Sequence, residues 1–215
     1  MPFNKLMKVT IIYDNTAWDK NLACDWGFSC IVEANGRKIL FDTGAKGDIL
    51  LNNMKRIGFD PSDIDGVFIS HDHWDHIGGL SDFLKKNQPK VFVPESCKIQ
   101  GDIVVRISNE FEIYDDIYST GELKNIEQSI IIREENNVAV IAGCSHSGVK
   151  NILDKADRFG SVGTLIGGLH GFNDFEVISD VKNICPAHCT QHIPEIKRLF
   201  PDKYIKGGAG RVIEI

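Results

Sequence analysis

Ser70-His71-Asp72-His73-Trp74-Asp75-His76 follows directly on Gly66-Val67-Phe68-Ile69, an apolar, β-branched run of the kind that forms a buried strand. The polar stretch therefore falls on the loop at that strand's end. His71 and His73 are two apart, so in an extended turn both imidazoles can converge on one cation. Asp75 and His76 follow at once and can face a second cation as the chain turns into the next helix. Neutral imidazole with carboxylate suits zinc first, with iron or manganese as alternatives, and one or two ions.

Outward from this loop, all seven histidines fall in four places: the loop itself, His146, His170, and the pair His188 and His192. Upstream, Val9 to Tyr13 reads as a strand ending at the turn-prone Asp14-Asn15-Thr16. Phe28 to Glu33 and Lys38 to Phe41 form a hairpin about Gly36, which delivers Asp42 at a strand end. Lys46 to Ile57 carries Leu50, Met54 and Ile57 on one helical stripe and stops at Gly58. Downstream, a short helix holding Leu80, Phe83 and Leu84 is expected to start just after His76, its amides facing an anionic substrate group.

From Lys90 to Glu134 the chain reads as β: Val91 to Val93, Ile103 to Ile107, Phe111 to Tyr118 and Ser129 to Arg133. Asn136-Asn137 reads as the turn into Val138 to Ala142, which leads to Cys144-Ser145-His146, and Val149 to Phe159 follows as an amphipathic helix. Thr164 to Ile166 precedes His170, and Val181 to Cys185 presents His188. Ile193 to Phe200 reads as a last helix and Arg211 to Ile215 as a last strand. These elements alone give a layered, mixed α and β class.

His71-x-His73-x-Asp75-His76, preceded by Phe41-Asp42-Thr43-Gly44 and followed by Gly78-Gly79-Leu80, resembles the metallo-β-lactamase superfamily of metal-dependent hydrolases. Gly143-Cys144-Ser145-His146-Ser147-Gly148, Gly167-Gly168-Leu169-His170 and Pro186-Ala187-His188-Cys189-Thr190 resemble one of its subgroups, as do Asp14-Asn15 and Gly27-Phe28-Ser29. That subgroup is named for a dihydropterin–ribofuranosylaminobenzene phosphate synthase. The resemblance runs from Val9 to the C-terminus. It implies an α/β fold, an αβ/βα sandwich of two mixed β-sheets flanked by helices, as a single domain over residues 1–215.

The resemblance also implies ligands and roles. His71, His73 and His146 would hold one metal, and Asp75, His76 and His188 the other. Asp42 would orient a ligating histidine, and Asp75 would also orient the attacking water. The superfamily pattern has a metal-bridging aspartate after the strand equivalent to Thr164 to Ile166, where this chain has Gly167-Gly168-Leu169-His170 and no carboxylate. His170 is expected as a terminal ligand of the second metal or a hydrogen-bond donor to substrate, because the two ring nitrogens point apart and cannot bridge. The implied reaction is hydrolysis of a small anionic, phosphate-ester-type substrate by a metal-activated hydroxide. The alternatives are a synthase transferring a dihydropterin from its diphosphate to an aromatic amine, and a metal-holding module without turnover.

The net charge of −6 argues against a nucleic-acid partner, which would need Lys and Arg facing phosphates. Lys85, Lys86 and Lys90 read as a solvated helix end. Met1 to Lys8 is mixed and Val9 to Tyr13 too short for a signal core or a membrane span, so no membrane partner and a cytoplasmic location are expected. The six cysteines lack zinc-finger or redox spacing and read as free thiols; Cys185 and Cys189 flank His188 and read as small packing residues, with a thiolate ligand as the alternative.

Overall fold

The computed structural model describes residues 7–215; of the mixed stretch Met1 to Lys8, all but Met7 and Lys8 lies outside them. The chain runs β1 (Lys8–Tyr13), β2 (Ser29–Ala34), β3 (Arg37–Phe41), α1 (Gly47–Ile57), β4 (Gly66–Phe68), α2 (Trp74–Ile77), α3 (Leu80–Leu84), β5 (Lys90–Pro94) and β6 (Val104–Ile107). It continues with β7 (Phe111–Tyr114), β8 (Ile117–Ser119), β9 (Ile130–Glu134), β10 (Asn137–Ala142), α4 (Val149–Ala156), β11 (Ser161–Gly168), β12 (Asn183–Ala187), α5 (Ile193–Leu199) and β13 (Val212–Glu214).

These strands make two mixed sheets, β13-β1-β2-β3-β4-β5-β6 and β12-β11-β10-β9-β8-β7. Alternate side chains of each strand feed different layers, as the period of two requires. Ile11, Phe28, Phe41 and Phe68 from the first sheet meet Ile130, Ile132, Ile141 and Ile166 from the second in one inter-sheet core. The opposite face of the first sheet, with Ile12, Leu40 and Val67, packs on Leu50 and Met54 of α1 and Leu80 and Phe83 of α3. The outer face of the second, with Val140 and Leu165, packs on Ile152 and Leu153 of α4 and Ile196 of α5. Helix, sheet, sheet, helix is thus the layer order, the expected αβ/βα sandwich. No helix among the described residues is long and apolar enough to cross a membrane.

Several local expectations shift. Phe111 to Tyr118 is not one strand: it folds back at Asp115-Asp116, with Asp116 at φ 60°, into the hairpin β7–β8. The β9–β10 turn sits one residue early, on Glu135-Asn136, and Asn137 pairs with Glu134. The helix after the metal loop begins at Trp74, inside the loop, so Asp75 and His76 lie within a single helical turn and no helix starts after His76 until α3. Pro186 stands inside β12, which tolerates it because β12 is an edge strand.

The topology places the site. β3, β4 and β5 are parallel neighbours in one sheet, and β10, β11 and β12 in the other. The loops leaving the C-terminal ends of β3, β4, β10, β11 and β12 carry Asp42, residues 70–76, Ser145-His146, His170 and His188. Four of the residues beyond these strands, Asp42, Ser145, His170 and His188, take positive φ (51°, 59°, 47° and 50°). Side chains other than glycine rarely accept that conformation, and each such residue costs about 1–3 kcal/mol unless its surroundings hold it. Their recurrence at corresponding positions marks one end of the sandwich as the functional edge.

Candidate metal centre

Asp42 is fully buried and accepts three hydrogen bonds. Ser70 N–H donates to Oδ1 at 2.7 Å, Ser70 Oγ donates to Oδ2 at 2.7 Å, and His76 Nδ1 lies 2.7 Å from the same Oδ2. Burial pushes its pKa well up, opposed by the Ser70 donors. The network settles two tautomers. His76 donates from Nδ1 and leaves Nε2 as its lone-pair nitrogen. Because the Ser70 hydroxyl is spent on Asp42, His71 Nδ1–H donates to Ser70 Oγ (2.9 Å) and His71 Nε2 is free to ligate. A methyl group at Gly143 would collide with the Ser70 hydroxyl, so β10 can pass this network only with glycine there.

The β12 loop is locked in a similar way. Asp14 Oδ1 accepts from His188 N at 2.9 Å, Asn15 Nδ2 donates to His188 O at 2.9 Å, and Asn15 Oδ1 lies 3.0 Å from His188 Nδ1. His188 therefore donates from Nδ1 and turns Nε2 inward. That nitrogen is buried without a hydrogen bond; it lies 3.3 Å from Asp75 Oδ2, off the line such a bond requires. Asp75 Oδ2 is instead held by the indole of Trp26, which donates from Nε1 at 2.8 Å.

The donors converge. His71 Nε2 and His73 Nδ1 are 3.0 Å apart, and the His146 ring lies 5.0 Å from that of His71 and 4.9 Å from that of His73. Ligand atoms of His71, His73 and His146 fall within 4.8 Å of one another, and so do those of Asp75, His76 and His188. His146 Nε2, like His188 Nε2, is buried without a partner. Two buried imidazole nitrogens without hydrogen bonds would each cost roughly 1–3 kcal/mol. A divalent cation accounts for both, and the residues present fit one in each group. Burial pushes the pKa values of His71, His76 and His146 down, so these rings stay neutral and able to ligate in neutral solution. For Asp75, burial works upward but is outweighed by the neighbouring His188 and His76 rings, which hold its pKa below the ordinary carboxylate value.

His170 is not in the second donor group. Its exposed ring lies 5.0 Å from that of His146 and within reach of Cys189, at the rim between the two groups, where the role of donor to substrate fits its exposure. His192 lies away from the site, 3.7 Å from Glu195. Three contributors, Trp26, Glu127 and Cys144, are not legible in the sequence, and a fourth, Cys189, enters there only as the alternative reading of a thiol beside His188. Trp26 has no motif. Glu127, which accepts from Ser147 N and Oγ at 2.7 Å and so braces the His146 loop, sits in a stretch without periodicity. Cys144 Sγ is 3.2 Å from His76 Nε2, and Cys189 lies with it beside His188. Their mutual bond pushes the Cys144 thiol well up and draws Cys189 down to about 6. Cys185 is a packing residue in the inter-sheet core, as expected, but Cys189 is not. The available signal was the Cys-x-His and His-Cys spacing at residues 144–146 and 188–189.

Known proteins resemble this chain along most of its length. A sequence profile of the metallo-β-lactamase superfamily matches residues 27–96. An uncharacterized protein of Methanocaldococcus jannaschii is 26% identical, covering 96% of this chain and 100% of the relative. A 7,8-dihydropterin-6-methyl-4-(β-D-ribofuranosyl)-aminobenzene-5'-phosphate synthase of the same organism is 23% identical, covering 94% and 92%. A crystal structure described as a metal-dependent hydrolase of the β-lactamase superfamily superposes with a TM-score of 0.82 at 25% identity, over 97% of this chain and 99% of the other. Together with the two-sheet architecture and the histidines gathered at its edge, these likenesses give the chain the metallo-β-lactamase fold and a sequence match to that superfamily across the metal loop.

Proposed function

We propose that this protein hydrolyses a small anionic substrate of the phosphate-ester type, using divalent metal held by His71, His73 and His146 and by Asp75, His76 and His188. The observation that carries the reading is the convergence of these six side chains, with the ligating nitrogens of His71, His76 and His188 left free by Ser70, Asp42 and Asn15. A bound divalent cation supplies Lewis acidity and lowers the pKa of water towards 7. The protein's own groups do the rest. Asp42 and Asn15 hold the proton on Nδ1 of His76 and His188, which keeps both rings in one orientation. Trp26 fixes Asp75, and its half-exposed indole limits access of bulk water to that carboxylate. His170, exposed beside His146, is positioned to donate a hydrogen bond to substrate or leaving group. The imidazole and carboxylate donors favour zinc over magnesium, with iron and manganese as the competitors to test.

The net charge of −6 favours a small molecule over a nucleic acid. Likeness to the synthase over 94% of the chain supports a second reading, group transfer to an aromatic amine. The test is turnover of phosphate mono- and diester probes by protein reconstituted with zinc, iron or manganese, and by metal-free protein. Metal-dependent release of phosphate or alcohol is expected, abolished by chelation and restored by one metal. Products should be analysed with and without an arylamine and a dihydropterin diphosphate. A condensed product only when both are present would replace hydrolysis by transfer; inertness of every metal form towards all probes would leave a binding module.

A further inference from the structure

Resting on the metal-dependent reading above, we propose that Cys144 and Cys189 are sulfur ligands of the same centre. Cys144 is shared between the two donor groups, and Cys189 is a terminal ligand beside His188. The remaining cysteines show what packing looks like in this fold. Cys30 and Cys185 are enclosed in the inter-sheet core and Cys97 in the layer under α1 and α3. Cys144 and Cys189 belong to none of the three apolar clusters among the described residues; they face histidines.

Cys144 Sγ lies within 4.8 Å of the ligand nitrogens of His71 and His76, and equally of the ligand nitrogen of His188 and of Cys189 Sγ. His71 belongs to the first donor group, His76 and His188 to the second. The sulfur thus stands where a shared ligand must stand. An imidazole nitrogen has one in-plane lone pair and serves one cation, whereas a thiolate sulfur keeps three and can face two.

The strand that would deliver a carboxylate to this spot cannot do so. A side chain at Gly168 would begin 2.8 Å from Cys189 Sγ and 3.2 Å from the Cys144 Cα, and would collide with the Gly143 carbonyl. Sulfur and backbone fill that room, and the glycine is what lets them. The unpartnered His188 Nε2 turns into the same space. Nitrogen with sulfur donors selects zinc over magnesium or manganese. Each thiol would surrender its proton to solvent as the sulfur–metal bond forms, so loading releases protons.

The full chain, kept reduced, should be titrated with cobalt(II) alone and with zinc alone, as the unsubstituted protein and as Cys144→Ser and Cys189→Ser. The unsubstituted protein should show a near-ultraviolet thiolate-to-cobalt charge-transfer band. Cys189→Ser should keep part of it and Cys144→Ser lose more, with affinity for the second equivalent falling at least roughly 100-fold, since even outer partners of ligands cost 10–100-fold. Should a variant fail to fold, the unsubstituted chain still decides: zinc should slow alkylation of Cys189 and leave exposed Cys24 unaffected. No sulfur band and no protection would overturn the proposal, even if the protein binds zinc through histidine and hydrolyses esters. A sulfur band in a protein inert to every ester would support it and remove the hydrolase reading instead.

Discussion

Asp42→Asn isolates what the buried carboxylate does. Asparagine keeps the shape and accepts the positive φ of 51° at this position, so the backbone is not perturbed. It offers one acceptor oxygen where aspartate offers two, against three donors at 2.7 Å. With the amide oxygen in the Oδ2 position, Ser70 Oγ and His76 Nδ1 keep their acceptor. The NH2 then opposes the Ser70 amide, a buried donor facing a donor, at about 1–3 kcal/mol. The opposite placement sets NH2 against both remaining donors and drives His76 to the Nε2–H tautomer, which cannot ligate. The first placement costs less, so the metal should stay. Chemical denaturation of the metal-free protein should show a loss of about 1–3 kcal/mol, and chelator competition a 10- to 100-fold weaker second zinc, roughly the scale of a lost orienting partner. Wild-type stability and affinity in the variant would refute the reasoning and reduce Asp42 to a turn residue.

Other outcomes follow from the same geometry. His71→Ala or His73→Ala should remove the first metal and all hydrolysis, because the pair supplies two of that group's three donors; full activity of either variant at low free metal would contradict the assignment. Asn15→Ala leaves His188 Nδ1 without its acceptor at 3.0 Å and should weaken the second ion roughly tenfold or more while sparing the first, as read by two-step zinc titration. Tyr13 should make the fold sensitive to alkali. Burial, then the charge of Asp25, raises its pKa from 10.0 to about 12, so the neutral phenol favours the native state. That contribution is complete below pH 10 and lost between pH 10 and 12, about 2–3 kcal/mol at most. Tyr13→Phe should flatten that part of the stability–pH curve, and an unchanged slope would show the phenol to be irrelevant.

Much of the site was written locally. A strand followed at once by His71, His73, Asp75 and His76 brings four of the six candidate ligands together within seven residues, and only His146 and His188 have to arrive from the second sheet. Amphipathic periodicity likewise placed α1 and α4, because a helix facing a sheet must repeat its apolar residues every three or four positions. What the local pattern could not carry was distance. Asn15 and His188 are 173 residues apart, Trp26 and Asp75 are 49, and Cys144 meets His76 across 68. The first and third exist only because two sheets pack face to face with their loops at one edge, and the second because β2 and β4 lie in one sheet with β3 between them. His170 shows the same limit from the other side. Its chemistry reads as that of a terminal ligand or of a donor to substrate, and the left-handed turn after β11 carries its ring to the rim beside His146. Residue types at a strand end declare that a metal can be held; which nitrogen is left free, and which sulfur shares the ion, is decided by the hydrogen bonds and close backbone approaches that form only when the sandwich closes.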